Sequence, residues 1–294
     1  MRSAYGAGQA ASVRPSLKRV LRSNPGARLI LQRPDEPVKP LADYADVPPL
    51  EAPVSIDPDS YIGPTEESNW VIPSRMLVGA YPGATEDELN SEILTSILEL
   101  GVTTFVCLQS EYQHHGVTEE QWRSGEKLRP YIFDALQLLE TCPADYFPEG
   151  RKPDSLDFVH LPIVDCATVS DGKVLSLAYD LCRRLKAGEN LYVHCWGGHG
   201  RTGTVVSLML GIMYGLPPMA AMAWVQMFHD MRIAPCGVPS PQTAEQRKQV
   251  TRILVKVGKR RDAAVAAEAA AKVAAEAAAA KATAAASRAQ RRSI

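Results

Sequence analysis

Residues 191–203 read LYVHCWGGHGRTG, three apolar residues running into a glycine-rich turn that opens on Cys195 and closes on Arg201. Leu191, Tyr192 and Val193 have the character of a short buried strand, and Thr204 to Tyr214 (TVVSLMLGIMY) that of an apolar helix. Between them Gly197, Gly198 and Gly200 let the chain curl until successive backbone N–H groups point inward. That makes an anion-binding nest, reinforced by the helix N-terminus. Phosphate fits such a nest. Arg201 adds a planar guanidinium that can grip two phosphate oxygens at once, which lysine would not reproduce. The same donors favour a thiolate at Cys195 and so make it a nucleophile.

Working outward, strands alternate with helices. Trp70 to Gly83 (WVIPSRMLVGAYPG) reads as a strand or short hairpin, and Glu86 to Leu100 as a helix with Leu89, Ile93, Ile97 and Leu100 on one face, capped by Gly101. Val102 to Leu108 (VTTFVCL) and Phe158 to Val164 (FVHLPIV) read as buried strands. Ser170 or Asp171 caps a helix whose apolar face is Val174, Leu177, Ala178, Leu181, Cys182 and Leu185, ended by Gly188. Residues 109–157 are polar, with Pro130, Pro143, Pro148 and Pro153 and a weak helical patch at Ile132 to Leu139; they read as an insertion shaping the rim of a site. The pattern predicts an α/β fold, a central, mostly parallel sheet flanked by helices, with the ligand beyond the carboxyl ends of the strands.

Three regions follow. Residues 1–65 form a basic and then Pro-rich arm, largely irregular and disordered, a linker or a wrapping arm. Residues 66–257 form the catalytic domain, and 258–294 an Ala-rich helical tail, exposed for want of large apolar residues. With 46% hydrophobic residues in 294, one core plus tails is expected. The net charge of -1 gives no basic field for nucleic acid. No apolar run approaches the ~18 residues of a transmembrane segment, and no signal peptide opens the chain. Six scattered cysteines suggest neither a zinc site nor a disulfide framework, so the expectation is a reducing, cytoplasmic setting without metal or cofactor. The first 33 residues carry Arg and Lys but no Asp or Glu, which suits either an organelle transit peptide or a plain basic tail. His114 and His115, with no carboxylate or cysteine cluster beside them, read as a solvated loop.

HCWGGHGRTG resembles the signature loop of the protein tyrosine phosphatase superfamily at His194, Cys195, Gly198, Arg201 and Thr202, with Gly200 and Gly203 also suited to it. The resemblance implies that Cys195 attacks phosphorus, Arg201 holds the transferring group and Thr202 eases departure of the thiolate. By the same resemblance His194 orders the loop, while Trp196, Gly197, Gly198, His199 and Gly200 join Arg201 in binding substrate. Phosphocysteine formation needs a proton donor on a loop beside the pocket. Asp165 follows FVHLPIV directly and sits where the family's general acid would; Asp171, on the same loop, is the alternative and is better explained as a helix cap. Ser240 to Gln249 (SPQTAEQRKQ) resembles the family's glutamine loop. That gives Gln242 a catalytic role in placing water and Gln246 a role at the substrate, against a plain polar first turn of a helix from Ala244 to Val257.

No tyrosine-recognition loop of the large phosphatases is evident, which implies a compact, dual-specificity-like member. Trp196 and His199 stand where lysines would favour phosphoinositides, so the expected partner is a phosphorylated protein or a small phosphate ester. Trp196 is either a core anchor beneath the loop or a substrate contact, and His199 a substrate contact or an idle loop residue. An enzyme acting on inositol phosphates or phosphoinositides, one acting on RNA 5′-triphosphate, and a phosphate-dependent binding module are the rival functions. Cys166 is a core cysteine or a resolving partner for an oxidised Cys195.

Overall fold

The computed structural model describes residues 37–291 apart from Val54 and Arg151, with side chains described up to residue 279 and at Lys281. The basic segment 1–33 lies outside them. The hairpin at Trp70 to Gly83 is β1 (Asn69–Ile72) and β2 (Met76–Gly79), antiparallel partners. Val102 to Leu108 yields β3 (Thr104–Gln109), FVHLPIV yields β4 (Asp157–Ile163), and β5 is Leu191–His194. The sheet order is β1-β2-β5-β3-β4, parallel from β2 to β4. Strand β5 is flanked on both sides, so its carboxyl end, where the glycine-rich turn begins, sits in the middle of the sheet edge. β2, β3 and β5 are buried at every position, which explains their unbroken apolar runs.

The helices are α1 (Asp87–Leu98), α2 (Glu119–Arg123), α3 (Tyr131–Thr141), α4 (Asp171–Lys186), α5 (Gly200–Tyr214), α6 (Pro218–His229) and α7 (Ala244–Arg291). All fifteen residues of α5 are buried, between α4, α6 and α7. The cap of α4 is Ser170, whose Oγ accepts from the Lys173 N–H. In α1 the apolar face is turned from the expected one: Leu89 is exposed and Asn90 is buried, its Oδ1 accepting from the Ala84 N–H. Local bonding to the turn outweighs the apolar spacing there.

Residues 109–157 overturn the expectation of a rim insertion. Their first and last residues belong to β3 and β4, α2 is closed by a Thr118–Gln121 capping box, and α3 packs on α1. Tyr112, Tyr131, Ile132, Ala135, Leu139 and Phe147 join the single hydrophobic core. Arg129 fastens the segment, pairing with Asp87 and Asp134 and lying 4.2 Å from the Trp122 ring centroid. Its polar composition hid the few large side chains that matter.

The described part of the arm wraps the domain. Beyond two single 3-10 turns (Ala42–Tyr44 and Pro58–Tyr61) it is irregular, yet Val47, Leu50, Ile56 and Tyr61 are buried. Leu41 N–H donates to the Met213 carbonyl (2.7 Å), and Tyr214 Oη to that of Pro48 (2.6 Å), at the end of α5 far from the turn. In α7 the buried apolar residues are Val250, Ile253 and Leu254, and from Asp262 onward every described side chain is exposed. Among the described residues no helix is long and apolar enough to cross a membrane.

Candidate active site

The turn from Cys195 to Arg201 is shaped from behind by a residue the sequence reading did not single out. Arg232 is fully buried; its Nη1 and Nη2 donate to the carbonyls of Gly197 (3.0 Å) and Gly198 (3.1 Å), and its Nε to Asn69 Oδ1 (2.7 Å). Carbonyl and N–H point to opposite sides of a peptide plane. Drawing the two carbonyls backward therefore turns the N–H groups of Gly198 and His199 to the front. Burial lowers Arg232 to about 10, so it keeps its charge at neutral pH. Gly198 needs its missing side chain: its φ is +70°, and a Cβ would stand 2.4 Å from the Gly79 oxygen.

Cys195 is buried in the turn, 3% exposed. His194 behind it is wholly buried and shares a 2.6 Å hydrogen bond with Tyr131 Oη; burial holds this imidazole at about 3, hence neutral. Its ring is thereby shut away from solvent behind the turn. Thr202 Oγ1 is buried with no hydrogen-bond partner among the described residues.

Arg201 is 2% exposed, and two carboxylates approach it. Nη1 donates to Glu111 Oε1 and Oε2 (2.9 and 3.0 Å) and to the Ile163 carbonyl (3.0 Å). Nη2 forms an ion pair with Asp165 Oδ1 at 2.9 Å. Glu111, just past β3, escaped the sequence reading because nothing in its neighbourhood marks it. It fixes one arm of the fork while Asp165, 65% exposed on the loop after β4, faces the other.

Asp165 and Asp171, alternatives in the sequence, are separated by their surroundings. Asp171 accepts from Arg252 (2.6 and 2.8 Å) and from Gln249 Nε2 (3.1 Å), and the Arg252 guanidinium holds its carboxyl down at about 2. It ties α4 to α7. Cys166, next to Asp165, is exposed with φ +57°, its Sγ 3.7 Å from Asp165 Oδ2, so it is not a core cysteine; all six cysteines are free.

Both glutamines lie against Gly200. A Cβ there would meet the Gln246 amide at 2.8 Å and Gln242 Cβ at 3.2 Å. Gln246, however, is buried with both amide ends committed inside the chain. Oε1 accepts from the Thr243 N–H (2.9 Å), and Nε2 donates to the Ala167 carbonyl (3.2 Å) on the Asp165 loop. Its place is to steady that loop; Gln242 stays partly exposed. Trp196 is 59% exposed and stacks on Tyr81 (centroids 6.1 Å, 12° between planes), which overturns the core-anchor reading and puts an aromatic wall at the rim. His199 is corrected too. It turns behind the loop, Nδ1 2.7 Å from His229 Nε2, where burial lowers it to about 3.

A thiol and a guanidinium around a nest of backbone donors, at the carboxyl edge of a mostly parallel sheet, define the class of Cys-x5-Arg phosphate-loop proteins. Residues 135–253, about two fifths of the chain, match the family model described as the Swiss Army Knife protein, DSP-PTPase phosphatase domain. That segment, which holds the turn from Cys195 to Arg201, is therefore similar to the dual-specificity branch of the protein tyrosine phosphatase superfamily. The chain is 25% identical over 179 residues to a protein named as tyrosine phosphatase 197R of Invertebrate iridescent virus 6, covering 60% of this chain and 54% of that one. It is 38% identical over 48 residues to one named as tyrosine phosphatase 067L of Invertebrate iridescent virus 3, covering 16% and 20%. The chain thus spans about half, and about a fifth, of the lengths of these curated relatives. Among solved structures, the active form of Tk-PTP aligns at 16% identity over 64% of this chain and 96% of its own, with a TM-score of 0.41.

Proposed function

We propose that this chain is a phosphatase hydrolysing phosphoprotein monoesters, phosphotyrosine foremost and phosphoserine or phosphothreonine second, through a phosphocysteine intermediate. The observation that carries the reading is the convergence on one nest of the Cys195 thiol, the anchored Arg201 fork and the exposed Asp165 carboxyl. The phosphoryl group displaces Asp165 from Arg201 and sits on the inward N–H groups. Cys195 Sγ, as thiolate, attacks phosphorus; the S–P bond forms as the ester O–P bond breaks, and Asp165 gives its proton to the leaving oxygen. Water then attacks the phosphocysteine, Asp165 takes the proton back, and the thiolate leaves with help from the Thr202 hydroxyl. Gln242 beside Gly200 is suited to placing that water.

The stack of exposed Trp196 on Tyr81 favours an aryl group at the mouth, and the turn 195–201 holds no lysine and one arginine, Arg201, which supports phosphoprotein over highly charged inositol phosphates. The catalytic domain is assigned to 66–257, with the described arm wrapped on it. Six free cysteines support a reducing, cytoplasmic setting. The test is turnover of an aryl phosphate against pH. Cys195→Ser should lose activity by several orders of magnitude, and Asp165→Ala should lose about 10²–10⁴-fold together with the alkaline limb of the profile. Wild-type turnover in Cys195→Ser would discard the mechanism. A folded wild type with no turnover that still binds phosphopeptide would make the chain a binding module.

A further inference from the structure

Behind the phosphate loop, on the face away from the proposed chemistry, three side chains with metal-binding atoms meet: His199 from the loop, His229 from the end of α6, and Cys236 from the turn that follows. One such atom from each lies within 4.8 Å of the others. His199 Nδ1 is 2.7 Å from His229 Nε2 and 4.0 Å from Cys236 Sγ. We propose that these three residues form a binding site for a thiophilic divalent cation, zinc first among them, that ties the rear of the loop to the 230–237 segment.

The donor set is the one zinc selects, two imidazoles and a thiolate. Bonds of about 2.0 Å to nitrogen and 2.3 Å to sulfur at a tetrahedral centre separate two nitrogens by roughly 3.4 Å and nitrogen from sulfur by roughly 3.6 Å. The His199–His229 span is shorter than this and the His199 Nδ1–Cys236 span longer, Cys236 Sγ now resting 3.4 Å from His199 Nε2, and with all three donor atoms within 4.8 Å of one another a shift of roughly one ångström seats the ion. Cys236 is exposed at the end of a turn in which it and Gly237 both have positive φ, so the thiol lies at the solvent edge and leaves the fourth position to water. The surroundings are already those of a supported ligand. Asp230 Oδ1 lies 3.3 Å from His229 Nδ1 and is itself held by Gln226 Nε2 at 2.7 Å. A carboxylate on the far nitrogen keeps the proton there and aims the Nε2 lone pair inward, the usual second partner of a metal-bound histidine. Gln226 Oε1 in turn accepts from Ser240 N–H, and Ser240 Oγ donates to the His199 carbonyl, so the support closes on the loop.

Binding balances simply. The His199 proton moves to Nε2, the Cys236 thiol releases its proton to solvent, and the thiolate offsets the nearby charge of buried Arg232. That charge disfavours a hard cation held by neutral groups alone, which is why the site selects a thiophilic one. His199 and His229 are thirty residues apart and neither has a metal-type spacing to Cys236, so the constellation exists only in the folded chain.

The test uses the full reduced chain titrated with Co²⁺ and then with Zn²⁺. One equivalent of Co²⁺ should give the visible absorption of a tetrahedral centre with a sulfur-to-cobalt charge-transfer band, displaced by Zn²⁺. Cys236→Ser should abolish that band and His229→Gln weaken Zn²⁺ binding at least tenfold, each with wild-type circular dichroism, while Cys195→Ser leaves the spectrum unchanged. Absence of a tetrahedral spectrum in the wild type overturns the proposal. So does a band lost in Cys195→Ser but kept in Cys236→Ser, which would put the metal on the nucleophile and leave the phosphatase reading to be judged by turnover alone.

Discussion

The front and the rear of the phosphate loop are built from the same turn by opposite means. On the front, charged carboxylates of Glu111 and Asp165 approach Arg201 while remaining 38% and 65% exposed. On the rear, Arg232, Asn69, His194 and His229 are buried and held by hydrogen bonds to neutral or fixed partners. Water competes for the front contacts and makes them cheap to exchange. The rear contacts have no such competitor, and breaking one strands a buried polar group. The mechanism proposed above, in which the loop surrenders carboxylates to an incoming phosphate yet keeps its N–H groups aimed, requires this division.

The hardest test of that division is Arg232→Met. It should cost about 3 kcal/mol in a denaturant titration, because the carbonyls of Gly197 and Gly198 and the Asn69 amide lose their donor. Aryl phosphatase activity should fall more than 100-fold. A stable, active Arg232→Met would mean that the loop holds its shape without rear support.

Next is acid. His194 is held neutral at about 3 among Tyr131, His160, Tyr81, Tyr192 and Arg201, whereas an unfolded histidine titrates near 6.5. Below that value the unfolded chain gains a proton that the folded chain refuses, so stability is complete above about pH 6.5 and declines as pH falls toward 3. At pH 4.5 His194 alone should account for a loss of roughly 3 kcal/mol, and His199, also lowered to about 3, adds to it, read from the urea midpoint. The Asp171–Arg252 pair has the other window: its folded value of about 2 lies below the unfolded carboxylate, so its contribution persists above about pH 4 and is lost only below that. Solvent screening limits it to about 1 kcal/mol. A flat profile from 7 to 4.5 would show that neither His194 nor His199 is shut away.

Glu111→Gln, on the front, should lower kcat/KM roughly tenfold by loosening one arm of Arg201 while moving the denaturation midpoint by under about 0.5 kcal/mol. A large loss of stability would shift Glu111 to the structural side of the comparison. Tyr131→Phe, on the rear, removes one partner of His194 and should cost about 1 kcal/mol with a smaller effect on turnover. Removing residues 263–294 should change neither measurement by more than about 0.5 kcal/mol, since every described side chain in that stretch is exposed and alanine favours the helix without neighbours.

Leu191 to Tyr214 declares itself because strand, turn and helix are contiguous, and each has a local signature. Asp165 stood out as a candidate because it directly follows a buried strand, and the structure pairs it with Arg201. The misread regions share a cause. In 109–157 a handful of buried aromatics are diluted by polar neighbours, and no period reveals that Tyr131 reaches His194 across 63 residues. Leu89 was put on the buried face of α1 by spacing alone, yet Asn90 takes that place through its bond to Ala84.

What the sequence alone determined is the local pattern: a thiol and a guanidinium at fixed separation, glycines where the backbone must turn, apolar runs for a mostly parallel sheet, and alanine for a helix. The tertiary structure decided the rest. It chose which carboxylates face Arg201, which arginine pulls the loop carbonyls backward, that Gln246 braces the Asp165 loop, and that His199 turns away from the pocket toward His229 and Cys236. The reason is physical: those partners act across distances of thirty to ninety residues, and their energies depend on burial and direction, quantities that no spacing along the chain encodes.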